Sequence, residues 1–559
     1  MNHLPLPPGA TSTTDDAELR ALQATLAEAG RNPWLASIFM RRLDTLRRRF
    51  AELCDWLRAL PRRLRRGLAR RWALALPAAA LMMALASWAA MAKMDATITV
   101  GVGGCTLADA ITAANTDTAT GGCGAGSGAD TISFNAANGT YSYTSALPDI
   151  TTDITIQGNG NTTIQRTGGG GFRILTVAAP SGNLTLDNST ISGGSVSGGS
   201  GGGIHVASGR TANITDSMIS GNSTSEGYLG GGRGGGIFVA SYATVSLTDS
   251  TVSGNWAGPA GGGIYAGGAS TVVVTDSTIA GNTATSTGGG THHTGGTGTM
   301  HVIKESTVSG NTARDGGGIY IGGRNSSVTL TNSTISGNTA TSSGGGIFLS
   351  YRGIVTLRNC TVTGNLLDGI REFAAGPVRP IVYIANSIVA HQATGADCSG
   401  IFTLADYGYN LESATSCGFT LASDQQSVTS AQLNLGALLL NPPGTTRTHA
   451  LGTGSFALDK IPSGTNGCGT TITTDQRGVS RPQSVLCDVG TFEAPIPGDC
   501  NADSNLDAAD FPAIVLRIFS NQFAANPLCD ANLDSKVDAG DLACAVRQVF
   551  FGRGSCNSP

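Results

Sequence analysis

Short runs in which apolar and polar residues alternate recur along this chain at nearly constant intervals. Six of them align without gaps: NITDSMISGN ending at Asn222, SLTDSTVSGN at Asn255, VVTDSTIAGN at Asn282, VIKESTVSGN at Asn311, TLTNSTISGN at Asn338 and TLRNCTVTGN at Asn365. The intervals between those asparagines are 33, 27, 29, 27 and 27 residues. A second block alternates with the first: GGGIHV from Gly201, GGGIFV from Gly234, GGGIYA from Gly261, GGGIYI from Gly316 and GGGIFL from Gly344. Each repeat therefore holds three short alternating runs separated by Gly, Asn and Ser. Alternation with period two argues for strands, and no run has helical spacing or a two-residue hairpin turn. A unit of this size cannot bury its own apolar face, so successive units must stack. The pattern predicts a mainly β parallel coil with three strands per turn, each pairing with its equivalent roughly 4.8 Å away. Ile219, Val252, Ile279, Val308, Ile335 and Val362 are the expected inward positions.

The recurring Asn suits a left-handed turn and an amide ladder, and the Gly triplets supply positive φ at a further corner. Asp216, Asp249, Asp276, Glu305, Asn332 and Asn359 form a column that resembles a row of acids. Turn residues explain that column better than catalysis does. His292 and His293, in GGGTHHTGG, interrupt the repeat where a strand block is due, with His301, Lys304, Arg314 and Asp315 close by. The expectation there is a solvated loop, and the chemical alternative is a polysaccharide-active site.

Composition adds compartment. The 559 residues include 80 Gly and carry a formal charge of −4. The first 92 hold 14 basic and 7 acidic groups, which leaves 20 basic against 31 acidic on the rest, a net of −11. An acidic body of this kind argues against a nucleic-acid surface. Residues 1–71 are basic and helix-prone, and Trp72–Ala92 is an uncharged apolar stretch behind six arginines that ends in Ala-Met-Ala. This is the form of an export signal cleaved near Ala92, or else of an uncleaved anchor, and it is the expected place of membrane contact. Eleven of the twelve Cys follow it, ten of them in close pairs: Cys105/Cys123, Cys398/Cys417, Cys468/Cys487, and Cys500/Cys529 with Cys544/Cys556. Close pairs in an exported chain read as disulfides. Cys360 replaces a repeat Ser and reads as a buried free thiol.

The strongest chemical motif is at the end. Asp499, Asn501, Asp503, Asn505, Asp507 and Asp510 recur thirty-one residues later as Asp530, Asn532, Asp534, Lys536, Asp538 and Asp541. These are positions 1, 3, 5, 7, 9 and 12 of an EF-hand-type loop, with Asn505 and Lys536 giving backbone carbonyls, so two calcium ions are expected. Position 6 is Ser504 or Ser535 where Gly is usual, which strains the turn. Each loop precedes an apolar-periodic helix, FPAIVLRIF from Phe511 and LACAVRQVF from Leu542.

The GGGI and [IV]-x-G-N blocks resemble those of bacterial surface proteins of the polymorphic outer-membrane group, which implies a right-handed β-helix. Cys105-TLADAITAAN with Gly128-ADTISF is similar to the CSLREA-type opening segment, and Thr106 with Asp109 forms a capping-box variant that starts its helix. Thr474-DQRGVSRP with Cys487-DVGTFE is similar to the closing segment of such coils, and implies a cap. Residues 498–552 resemble a type I dockerin, whose partner is a cohesin. In that family loop positions 10 and 11 recognise the partner, and here they are Ala508-Ala509 and Ala539-Gly540, without the usual hydroxyls. The implied organisation is a coil over 93–395, a cap over 396–491, a linker over 492–497 and a small all-α EF-hand-like module over 498–559. The expected function is adhesion or assembly outside the cell, at the surface or outer membrane. A cohesin-like or cell-surface partner would hold the C-terminal module, with no catalytic residue assigned. The alternative is a lyase or glycosidase acting on polysaccharide.

Overall fold

The computed structural model describes residues 95–551, apart from 136–138, 227–230, 297–298, 374–377, 497, 501–505, 520–528 and 532–535. The helical extension and the apolar Trp72–Ala92 stretch lie outside the described residues. Among the described residues no helix is long and apolar enough to cross a membrane.

The alternating runs wind into a right-handed parallel coil of about ten turns. One turn shows the plan: strands Ile264–Ala266, Thr271–Thr275, Thr278–Ala280 and Thr283–Ala284. Each pairs in parallel with its equivalent in the turns above and below. There are thus four strands per turn in three sheets rather than three strands. The second and third belong to one sheet that is broken at a left-handed residue, here Asp276 at φ 47°. Every member of the Asp216-to-Asn359 column has the same positive φ. Short polar side chains tolerate that conformation best, so this column is the corner of the coil.

Inside, Ile219, Val252, Ile279, Val308, Ile335 and Val362 stack in register and are fully buried. The asparagines form the expected ladder. Asn222 Nδ2 donates to Asn255 Oδ1 (3.1 Å), and Asn255, Asn282, Asn311 and Asn338 each donate to the next Asn, ending at Asn365, at 2.9–3.0 Å. The left-handed residue at this corner is the preceding Gly, such as Gly281 at φ 64°, and not the Asn itself. A second ladder runs through the repeat serines, each Oγ accepting from the N–H of the Ser one turn before, from Ser189 to Ser333. Cys360 occupies a Ser position as a buried free thiol. The triplet glycines are fixed by close approach. A Cβ on Gly262 would lie 2.5 Å from two backbone oxygens, Gly289 O and Thr283 O.

At the N-terminal end, helix α1 (Leu107–Thr116) starts at Thr106, whose Oγ1 accepts from Asp109 N–H (3.1 Å). Its Leu107, Ala110 and Ile111 are fully buried and join the core of the coil. At the other end the coil continues past residue 396, because Thr403–Asp406 and Leu411–Glu412 still pair in parallel with the turn before. Residues 435–493 then fold back along one flank instead of only closing the end. Gln476 Nε2 donates to Thr307 Oγ1 (3.0 Å), Thr334 Oγ1 donates to Gln476 Oε1 (2.7 Å), and Gly490 N–H donates to Asn386 O (2.9 Å). We call this segment the strap. Disulfides join Cys105–Cys123, Cys398–Cys417, Cys468–Cys487 and Cys500–Cys529. Cys544 is disulfide-bonded too, and Cys556 lies outside the described residues.

Candidate functional site

Two places were marked by the sequence for chemistry, the histidine pair in the coil and the C-terminal ligand set. The first is not a loop. Thr291–Thr294 is a strand of the GGGI sheet, in register with Ile264, Tyr265 and Ala266 below and with Ile319, Tyr320 and Ile321 above. Gly288-Gly289-Gly290 is another copy of the triplet, and Gly288 at φ 64° matches Gly261 and Gly316, both at 66°. Backbone hydrogen bonds set the strand whatever the side chains are, so two histidines can replace the usual apolar pair.

His292 therefore points outward into a column of stacked rings: His205, Phe238, Tyr265, His292, Tyr320 and Phe348. Consecutive centroids are 4.6–5.4 Å apart and the planes lie within 22° of parallel. His293 points inward, where Ala266 in the turn below leaves it room. There it meets His301, at 4.3 Å between centroids. His292, His293 and His301 are 8%, 1% and 1% exposed. Burial holds all three neutral. It lowers His292 to about 3 and His301 to about 4, and pushes His293 well below the usual range. His293 and His301 are closed off from a polymer lying on the surface, and the outward His292 is largely covered by its stacked neighbours. Lys304 pairs with Glu305 (3.1 Å) and Arg314 with Asp315 (2.9 Å). The residues that kept a catalytic reading of this coil open are core or ion-paired.

The strap, where the sequence implies only a cap, carries a buried polar network. Asp475 accepts from Arg477 Nη2 (2.6 Å), Arg477 N–H and Glu493 N–H, and Arg481 Nη1 donates to Glu493 Oε2 (3.0 Å). Arg477 also lies over the Phe492 ring at 3.5 Å. Burial raises the Asp488 carboxyl well above its usual range, and the Glu493 charge adds to it. Every charge here faces a protein partner, which is the arrangement of a clamp.

In the C-terminal module, helices α2 (Asp510–Phe519) and α3 (Ala539–Phe551) follow the two loops. Asp499, Asp507, Asp510, Asp530, Lys536, Asp538 and Asp541 are described, while Asn501, Asp503, Asn505, Asn532 and Asp534 lie outside the described residues. The two helix starts are superimposable in their bonding. Asp507 N–H donates to Asp510 Oδ2 (2.9 Å) and Asp538 N–H to Asp541 Oδ2 (2.6 Å). Asp507 Oδ1 accepts from Ala509 N–H, and Asp538 Oδ1 from Gly540 N–H, both at 2.7 Å. Asp499, Asp510 and Asp541 are fully buried and Asp530 is 5% exposed. The Cys500–Cys529 bond, with Cα atoms 4.3 Å apart, adjoins Asp499 in one loop and Asp530 in the other. Ala508, Ala509, Ala539 and Gly540 are exposed.

The chain is similar to right-handed parallel β-helix proteins. The family model described as a right handed beta helix region matches residues 129–404. No curated protein matches the chain. Among solved structures, pectate lyase Pel9A is 13% identical, over 69% of this chain and 90% of that one, with a TM-score of 0.33. The PL6 family alginate lyase AlyGC is also 13% identical, over 58% of this chain and 52% of that one, with a TM-score of 0.21. Likeness at this level concerns the coil and leaves the chemistry open.

Proposed function

We propose that this is an exported, cell-surface β-helix protein for adhesion or assembly, attached through a calcium-loaded C-terminal module of the dockerin type. The observation that carries this reading is the duplicated loop-to-helix geometry, with Asp499, Asp510, Asp530 and Asp541 all buried within one small module. A cation ringed by oxygens would draw several such carboxylates together, beside the N–H groups that already bond Asp510 and Asp541. The donor set is all oxygen, as calcium requires, and it would supply cross-linking of the two loops and no reaction. The coil is a rigid spacer held by its ladders. The partner would be a cohesin-like protein or a surface component, contacting the exposed Ala508-Ala509 and Ala539-Gly540 edges.

Titration of the full chain with calcium tests this. Two ions per chain are expected, and their removal should lower the unfolding temperature of the module, because metal binding is coupled to folding. Asp510→Asn or Asp541→Asn should each abolish one of the two. Unchanged unfolding with chelator and with calcium would reject the module's role. Sequencing the N-terminus of the surface-exposed protein tests export, with a start just after Ala92 expected.

A further inference from the structure

The turn that leads from the GGGI strand into the next strand forms a further corner of the coil. Register fixes its members, because Thr211, Thr244 and Thr271 align, and so do Ser327, Ile354, Ile381 and Thr403. Three and two residues before these strand starts, the earlier turns carry Ser208-Gly209, Ser241-Tyr242 and Gly268-Ala269, with no charge. Four successive later turns carry Arg324-Asn325, Tyr351-Arg352, Val378-Arg379 and Gly400-Ile401. These eight residues are all exposed, whereas Ser326, Gly353 and Pro380, which follow the first three pairs, are buried. The pairs therefore project from the coil as a ridge about 14 Å long.

Large apolar side chains stand in water along this ridge. Tyr351, Val378 and Ile401 are 52%, 44% and 57% exposed. Phe373, in register with Ser350 next to Tyr351, is 58% exposed. Arg324, Arg352 and Arg379 lie among them. Among the described residues none of the three arginines makes an ion pair. No acidic residue occurs in 322–325, 350–354, 378–381 or 400–403. Three guanidinium groups and four large apolar side chains thus share one edge of a body whose net charge is −11. Apolar groups gathered in water mark a contact surface, and the local charge selects an anionic partner.

We propose that this ridge docks on an anionic lipid bilayer, as a point of attachment distinct from the C-terminal module. Tyr351, Phe373, Val378 and Ile401 would enter the headgroup layer, and the three arginines would pair with lipid phosphates. A bilayer interface accepts apolar side chains and cations together, and Tyr rings settle at its depth. Guanidinium forks match phosphate oxygens in two parallel hydrogen bonds. A soluble polyanion fits less well, because it would satisfy the arginines and leave the four apolar side chains in water. The acidic remainder of the coil is repelled by an anionic surface, which confines contact to the ridge.

Co-sedimentation with vesicles tests the assignment, using residues 94–559, which form a compact unit of their own. That chain lacks the apolar Trp72–Ala92 stretch, which would enter any bilayer. Chelator is present throughout, so failure of the calcium reading leaves the result untouched. The probes are phosphatidylcholine vesicles with and without phosphatidylglycerol. Binding is expected only where phosphatidylglycerol is present, and it should weaken as salt is raised. Arg352→Gln and Arg379→Gln should each weaken it about fivefold. Tyr351→Ser and Ile401→Ser should weaken it as well, through the lost apolar contact. All four side chains are exposed, so the variants should share the parent's thermal midpoint. Equal binding to both kinds of vesicle, or arginine variants that bind as the parent does, would overturn the proposal. So would serine variants that bind as the parent does, or capture of soluble polygalacturonate as tight as that of the vesicles, since either would assign the ridge to a soluble polyanion.

Discussion

Nδ1 of His293 and both ring nitrogens of His301 sit in the lumen of the coil without hydrogen-bond partners. Neutral imidazoles are tolerated there, but charged ones are not. In the unfolded chain these rings titrate near 6.5, whereas in the folded chain burial depresses them, His301 to about 4. Below pH 6.5 the unfolded state therefore binds more protons. The stability due to the neutral rings is complete above pH 6.5 and is lost as pH falls through 6 and 5 towards 4, at up to about 1.4 kcal/mol per pH unit for each ring. His301 aligns with Val272 and Val328 in the neighbouring turns. His301→Val should accordingly raise the thermal midpoint at pH 5 by clearly more than at pH 8, and equal shifts at both would reject buried neutral histidine as the cause. The asparagine ladder makes the opposite kind of demand, because every amide there is paired. Asn282 accepts from Asn255 N–H (3.0 Å) and Asn255 Nδ2 (2.9 Å), and it donates to Asn311 Oδ1 (3.0 Å) and Val252 O (2.9 Å). Asn282→Ala leaves buried donors and acceptors unmet on both sides, so a loss of about 2–4 kcal/mol is expected in denaturant unfolding.

At the scale of elements, identical sequence does not mean identical surroundings. Thr251, Thr278, Thr307, Thr334 and Thr361 are register equivalents on successive turns. The first two are partly exposed, while the last three are buried beneath the strap. Thr334→Lys would bury a charge against Gln476 and Thr491 and should cost at least about 3 kcal/mol, whereas Thr278→Lys should stay within about 0.5 kcal/mol. Comparable losses at both sites would show that the strap does not cover this face in solution. The contrast explains what could be read from the chain. The stacked strands, the buried Ile and Val column and the left-handed Asx corner were legible, because each follows from a residue type repeated at one interval. The triplet at Gly288 follows Gly261 by 27 residues, just as Gly261 follows Gly234, yet the histidines behind it concealed the strand from a search for apolar pairs. The strap's docking was not legible, since it depends on contacts between residues 80 to 169 positions apart that have no period.

For the whole molecule, stability is close to a sum over turns and their interfaces, as in other stacked repeats. Removal of one complete turn should then be tolerated wherever nothing measures the distance between turns. Residues 223–255 form such a turn, because Asn222 and Asn255 are ladder equivalents and Trp256 pairs with Ser223. Their deletion joins Asn222 to Trp256 without changing the corner, and the turn lies below those the strap reaches. Residues 312–338 form an equally complete turn, bounded by Asn311 and Asn338. The strap, however, bridges that turn. Gln476 holds Thr307 and Thr334, Thr491 holds Thr334 and Thr361, and Gly490 holds Asn386. Shortening the coil there by one repeat moves Asn386 about 4.8 Å towards Thr307, and these bonds can no longer all form. The first deletion should give a shorter, cooperatively unfolding protein with a thermal midpoint within a few degrees of the parent. The second should free the strap, detected as faster amide exchange over 474–493 and early proteolysis there. If both deletions behave alike, the coil is not indifferent to its length below the strap, or the strap does not fix its length above.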